Sequence, residues 1–259
     1  MKTVHKDGWR VQEQDVELVV SGHHGDPFSV LGVQTADKQL VARCFIPGAE
    51  TVEAFTLEGK SLGVLERRHS EGFFEGPISS DQRLLLRYEA RNANGSWSIV
   101  DPYAFGPVLG PMDDYYAAEG SHLRLFDKLG AHLICHGGFE GTHFSVWAPN
   151  ASRVSVTGDF NAWDGRLHPM RKRQDSGIWE IFLPDVGEGA LYKYEILDAA
   201  GNLLPLKSDP YGFSAEMRPS TASRVTKITG FEWSDQDYMA SRATRDARRL
   251  PMSIYEVHA

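Results

Sequence analysis

The sequence predicts an all-β protein: two tandem immunoglobulin-like β-sandwiches joined by a short, partly helical connector and followed by an orphan strand. Two observations carry this prediction. The first is internal repetition. Phe45-Ile46-Pro47-Gly48-Ala49 with Val52 returns as Trp147-Ala148-Pro149-Asn150-Ala151 with Val154 roughly a hundred residues later. Gly72-Phe73-Phe74-Glu75, Arg87-Tyr88-Glu89 and Asp101-Pro102-Tyr103-Ala104-Phe105 return in the same order as Gly177-Ile178-Trp179-Glu180, Lys193-Tyr194-Glu195 and Asp209-Pro210-Tyr211-Gly212-Phe213. The second is periodicity. Short runs of β-formers recur between turn dipeptides with no long helical pattern between them, which favours antiparallel sandwiches over βαβ units.

The elements follow in order. Val11 to Val20 is amphipathic and stops at Ser21-Gly22, as expected of a helix closed by a glycine cap. Leu40 to Ile46, Thr51 to Phe55, Leu84 to Ala90 and Ser96 to Val100 read as strands of the first module, residues 1–107, separated by Pro-Gly, Glu-Gly, Asn-Gly and Asp-Pro turns. Residues 108–130 form the connector, with helix-forming stretches and too many apolar residues for a free tether. Thr142 to Trp147, Arg153 to Thr157, Gly177 to Leu183, Ala190 to Leu197 and Arg224 to Ile228 are the strands of the second module, residues 131–230. Residues 231–259 hold a polar linker, with the basic cluster Arg242 to Arg249 as a solvated helix or linker, and then Ser253-Ile254-Tyr255-Glu256-Val257-His258 as a strand without a neighbour. A lone strand cannot satisfy its own backbone groups, so the expectation is that a further domain begins there.

Composition narrows the function. A formal charge of −8 over 259 residues disfavours nucleic acid or an anionic membrane, which need clustered cations. No apolar run approaches the ~18 residues of a membrane span, and Met1-Lys2-Thr3-Val4-His5-Lys6-Asp7 has no apolar core behind its lysines, so no secretory signal is expected. Cys44 and Cys135 lie at unrelated positions of the two copies, which points away from a framework disulfide and towards a reducing, cytoplasmic setting. Phosphate loops, Gly-x-Ser-x-Gly, His-Glu-x-x-His and paired Cys-x-x-Cys are all missing, so no cofactor and no metal are expected. His23-His24 reads as a loop pair. Asp26, Asp101, Asp159, Asp164 and Asp209 sit beside Gly, Pro or Asn, where Asp caps turns, and no catalytic residue is expected in the chain.

The copies differ most after the Val52/Val154 strand, where the second carries Gly158-Asp159-Phe160-Asn161-Ala162-Trp163-Asp164. Phe160 is expected to anchor the loop inward and Trp163 to present its flat face to solvent, where the apolar face of a pyranose can lie. Burying ~100 Å² there is worth roughly 2.5 kcal/mol, so binding is expected to be about millimolar. That suffices on a polymer with many repeats. Lys193 could donate to sugar hydroxyls beside it. The plainer reading has Trp163 closing the sandwich end and Lys193 as a solvated strand residue.

Gly141 to Ala151, Gly158 to Trp163, Leu191 to Glu195 and Lys207 to Tyr211 together resemble the family 48 carbohydrate-binding module of glycogen-active enzymes. His23 to Gly32 and Ser253 to His258 are similar to segments of the bacterial 1,4-α-glucan branching enzymes in their long form. That resemblance implies α-1,4-glucan (glycogen, malto-oligosaccharides) as partner, sugar contact through Trp163 and Lys193, and a first strand of a (β/α)₈ catalytic barrel at Tyr255 to His258. It also implies a retaining double displacement on carboxylates beyond this sequence. Relatives carry a second tryptophan in the hairpin that here reads Asp198-Ala199-Ala200-Gly201-Asn202-Leu203, where Asn202 can offer only an amide. Two other readings stand beside this one: a purely structural pair of sandwiches, and the front of a debranching or trehalose-forming relative.

Overall fold

The computed structural model describes residues 8–257, so the N-terminal heptapeptide, the last residue of the expected final strand and residue 259 lie outside the described residues. The protein is mostly β-strand with few helices. It divides into two compact units, residues 1–227 and 228–259.

In the larger unit, α1 (Glu13–Val20) buries Val16, Val19 and Val20, the i, i+3, i+4 stripe of an amphipathic helix, and Gly22 turns the chain out at φ 70°. Seven strands follow: β1 (Gly32–Ala36), β2 (Gln39–Phe45), β3 (Thr51–Phe55), β4 (Ser61–His69), β5 (Phe73–Pro77), β6 (Arg87–Asn92) and β7 (Gly95–Val100). They pair antiparallel in the order β1-β2-β5-β4-β3-β6-β7. The connector contains α2 (Pro111–Glu119), opened by proline at its first position and closed by Gly120 at φ 77°. Then come β8 (Gly130–His136), β9 (Phe139–Trp147), β10 (Arg153–Gly158), β11 (Arg171–Lys172), β12 (Ile178–Pro184), β13 (Leu191–Leu197) and β14 (Ser223–Arg224), in sheets β11-β12-β9-β8 and β10-β13-β14. In the smaller unit α3 spans Gln236–Arg242, and residues 251–257 form no regular element. The strand expected there is not formed over its described part, where the segment has no ladder to join.

The repeated motifs make repeated bonds. Ile46 N donates to Gly72 O at 2.8 Å and Ala148 N to Gly177 O at 3.1 Å, locking each Pro turn to the glycine that opens the repeated Gly-x-x-Glu motif. Both glycines have positive φ, 105° and 72°. A Cβ on Gly72 would lie 2.4 Å from Ile46 O, and one on Gly177 2.7 Å from Pro149 Cβ, so neither site accepts a side chain. The glutamate that ends this motif is buried in both copies and receives the chain entering its module. Glu75 accepts from Val11 N, Arg43 and Arg68; Glu180 accepts from Val108 N, Leu109 N and His143. The aspartate of Asp-Pro-Tyr is likewise a latch. Asp101 accepts Tyr88 Oη and Tyr103 N, both at 3.0 Å, while Asp209 accepts Tyr192 Oη, Tyr194 Oη and Tyr211 N.

Five strands escape the sequence reading: β1, β4, β5, β8 and β11. β4 shows why, since Glu66-Arg67-Arg68-His69 is too charged to announce a strand. Part of that charge is consumed by pairing, since Arg68 binds Glu75 of β5 and Glu13 of α1. The last strand of the second module was expected over Arg224 to Ile228 but has only the two residues of β14. Cys44 is buried, Cys135 is exposed, and both are free thiols.

An apolar cluster joins α1, Phe45 and Phe73 to the core of the second copy, including Phe144, Val154, Trp179 and Tyr194. A separate cluster built on Val52, Phe74, Leu86 and Tyr88 fills the first copy. Burial pushes the Asp101 carboxyl up to about 7. A carboxyl raised on folding stabilises the native state fully below its unfolded value and loses that contribution as pH rises through the folded one. The wild-type chain is therefore expected to lose on the order of 3 kcal/mol from this group between about pH 4 and 7. Asp101→Asn should remove that slope in urea titrations at the two pH values, and superimposable pH profiles would contradict the assignment.

Candidate functional site

The loop after β10 is built from its first residue outward. A Cβ on Gly158 would meet Leu191 O at 2.2 Å and the Phe160 ring at 2.6 Å, so the close approach needs glycine. Asn161 is buried and bridges the turn, its Oδ1 accepting from Gly158 N at 2.8 Å and its Nδ2 donating to Val156 O at 2.9 Å. Phe160 turns inward to pack 5.8 Å from Phe144, as expected of the anchor. With both sides pinned, the chain turns left-handed at Ala162 (φ 52°) and Trp163 (φ 61°), and Trp163 N donates to Gly158 O at 3.0 Å. A bulky residue at such a φ is rare and costs on the order of 1–3 kcal/mol.

The Trp163 ring is half-buried, and its Nε1 donates to Asp159 Oδ1 at 3.2 Å. Beyond it Asp164 binds Arg166 through both carboxylate oxygens. Burial opposes ionisation of Asp164, but the Arg166 guanidinium and amide outweigh it and hold the carboxyl below its usual value. Gly165 lies where a Cβ would be 2.0 Å from Glu195 Oε1, and its carbonyl accepts Arg153 Nη1 and Ser155 Oγ, clamping the outgoing leg onto β10.

Lys193 lies on β13, paired across the ladder with Thr157, next to the Gly158–Tyr192 pair from which the loop departs. Its Nζ donates to Thr221 Oγ1 at 2.7 Å. Trp163 and Lys193 therefore come to one end of the β10-β13 pair. Asn202 does not. It closes the turn after Leu197, which pairs with Arg153 at the other end, roughly 16 Å away at about 3.3 Å per residue. Its Nδ2 is bound to the Asp198 carboxylate at 3.0 Å. Two residues at the Trp163 end went unassigned in the sequence reading. Asp159, read only as a turn cap, fixes the indole. Thr221, from a stretch without pattern, holds the lysine; no local signal marks it, because the contact crosses 28 residues. Among the described residues no group of three or more His, Cys, Asp or Glu could hold a metal ion.

Residues 12–103 match the family described as alpha-1,4-glucan branching enzyme GlgB, N-terminal domain, and residues 128–212 match Carbohydrate-binding module 48 (Isoamylase N-terminal domain). The 1,4-alpha-glucan branching enzyme GlgB of Mesorhizobium japonicum is 60% identical over 245 residues, covering 95% of this chain and 33% of that protein. The chain is thus similar, over nearly its whole length, to the N-terminal third of 1,4-alpha-glucan branching enzymes. The Rhizobium meliloti branching enzyme is also 60% identical over 245 residues, and that of Rubrobacter xylanophilus 52% over 247 residues. This chain spans about a third of the length of these branching enzymes. Among solved structures, pullulanase from Anoxybacillus sp. LM18-11 reaches a TM-score of 0.35 at 20% identity, over 75% of this chain and 27% of that one, too weak a likeness to argue from. The module 48 match contains Trp163, Lys193 and Asn202, while the branching-enzyme N-terminal match runs from α1 to Tyr103. Among the described residues no helix is long and apolar enough to cross a membrane.

Proposed function

We propose that this chain is the glucan-orienting front of a cytoplasmic glycogen branching enzyme, with two tandem immunoglobulin-like sandwiches at residues 1–107 and 131–230. Residues 108–130 join them, and residues 231–259 lead into the catalytic barrel. The pairing orders support the duplication: β1-β2-β5-β4 and β3-β6-β7 of the first copy correspond to β8-β9-β12-β11 and β10-β13-β14 of the second. The observation that carries the glucan reading is Trp163 itself. A tryptophan held left-handed, half-buried, with its indole N–H oriented by Asp159, stands at the same sheet end as the Lys193 ammonium.

The ring supplies an apolar platform for a pyranose face and Lys193, with Thr221, supplies donors for its hydroxyls. Asn202 is an outlying contact that only a longer glucan reaches. Affinity electrophoresis in glycogen tests the reading. Retarded migration is expected, with Lys193→Met weakening it by roughly three- to tenfold, the worth of one hydrogen bond. Migration unaffected by glycogen would favour the scaffold alternative.

The segment transfer that gives the relatives their name belongs, in this proposal, to the whole protein. The carboxylates that perform it would lie on the barrel and not among these 259 residues. The purified chain is expected to form no α-1,6 linkages from amylose, and measurable branching would contradict the assignment.

A further inference from the structure

A cleft of about 640 Å³ opens between the two copies, away from the Trp163 loop, and two arginines line it. Arg171, on β11, lies 3.9 Å over the ring of Phe28 and donates to Phe105 O at 2.9 Å. Arg83 lines the same cleft from the first copy. Neither has a carboxylate within ion-pair distance among the described residues, although most arginines here, such as Arg43, Arg68, Arg153, Arg166 and Arg173, are paired. Two arginines with no directly paired carboxylate, lining one cleft in a chain of net charge −8, favour an anion there.

Burial lowers the proton affinity of Arg171; the charge of Glu180, and less strongly that of Asp26, opposes this, while Arg173 and Arg83 add to it. Neither guanidinium is in direct contact with a carboxylate among the described residues, so an anion entering the cleft would be the first ion-pair partner of both. Lys172 adds little, because its ammonium is turned to Pro149 O. Asp26 also lines the cleft, where a carboxylate repels an anion but accepts from a hydroxyl. A lone phosphate would leave most of the volume empty, and a neutral glucan would leave both guanidiniums without an anionic partner.

We propose that this cleft binds a phosphorylated sugar, its phosphate held between Arg171 and Arg83 and its hydroxyls directed to Asp26 and the backbone of residues 104–107. Binding there would bridge the two copies and stiffen their junction. The site shares no residue with the glucan face, so either reading can fail without the other.

Isothermal titration of the 259-residue chain with glucose 6-phosphate, inorganic phosphate and maltotriose tests the proposal. Glucose 6-phosphate is expected to bind, to weaken as salt rises, and to bind about tenfold more weakly to Arg83→Gln, since charge-assisted hydrogen bonds have about that worth. Arg83 is exposed and forms no side-chain bond among the described residues, so this change should leave the fold intact. Inorganic phosphate should bind more weakly, and maltotriose should not compete. No binding of the sugar phosphate at millimolar concentration would overturn the proposal. So would equal affinity for inorganic phosphate, competition by maltotriose, or an unchanged affinity in Arg83→Gln.

Discussion

Glu180→Ala is expected to cost about 3–5 kcal/mol of folding stability, because it removes the centre of a buried charged network. Its carboxylate is 2% exposed and accepts from Val108 N, Leu109 N and His143 Nε2, each at 3.0 Å, with Arg173 Nη1 at 3.4 Å from it. Alanine leaves two amides, an imidazole and a guanidinium facing a void, and each buried group left without a partner carries its own desolvation penalty. Arg173 also binds Asp114 of α2, so the connector should loosen with the network. Urea denaturation of the variant should show a midpoint shift of that size, and Glu180→Gln, which keeps the shape and one acceptor, should lose clearly less. A loss below about 1 kcal/mol would show that the amides find other partners. Glu75→Ala in the first copy should behave the same way, since Glu75 holds Val11 N, Arg43 and Arg68.

Trp163→Ala is expected to abolish measurable glucan retention while leaving folding nearly untouched. Losing roughly 100 Å² of apolar contact removes about 2.5 kcal/mol, and an interaction that starts near millimolar then drops out of range. The ring is only half-buried and its backbone is already left-handed, so truncation creates no core cavity. Stability should stay within about 1 kcal/mol of the wild type, as for a surface change. Trp163→Gly should fold at least as well, since glycine adopts that φ freely. Retention in glycogen gels unchanged by either substitution would remove the platform from the account.

Much of this was legible because repetition and turn chemistry are local signals. The Pro-Gly-Ala and Pro-Asn-Ala turns, the glycines at 72 and 177 and the Asp-Pro-Tyr latches are written in the residues that perform them. So is the anchoring of Phe160, which follows from one aromatic beside a turn of Gly, Asp and Asn. The role of Glu75 and Glu180 was not legible, although the repeat displayed them. A glutamate alternating along a strand looks solvent-facing until the entering chain is seen to donate its amides to it. Strand β4 was hidden for the same reason, since its arginine is spent on a carboxylate from another strand. At the candidate site the tryptophan and lysine were visible from their motifs, but their proximity came from the register Thr157 to Lys193. The same register places Asn202 at the far end of the pair, a separation that adjacency in a hairpin sequence does not reveal.

The most direct test of a glucan face at the Trp163 end is a titration of the ¹⁵N-labelled chain with maltoheptaose, followed by amide and indole resonances. The account predicts that the Trp163 indole N–H, Lys193 and Thr221 shift first and most, with the Asp198 to Asn202 turn responding less. Silence at the Trp163 indole, or shifts confined to the first copy, would contradict it.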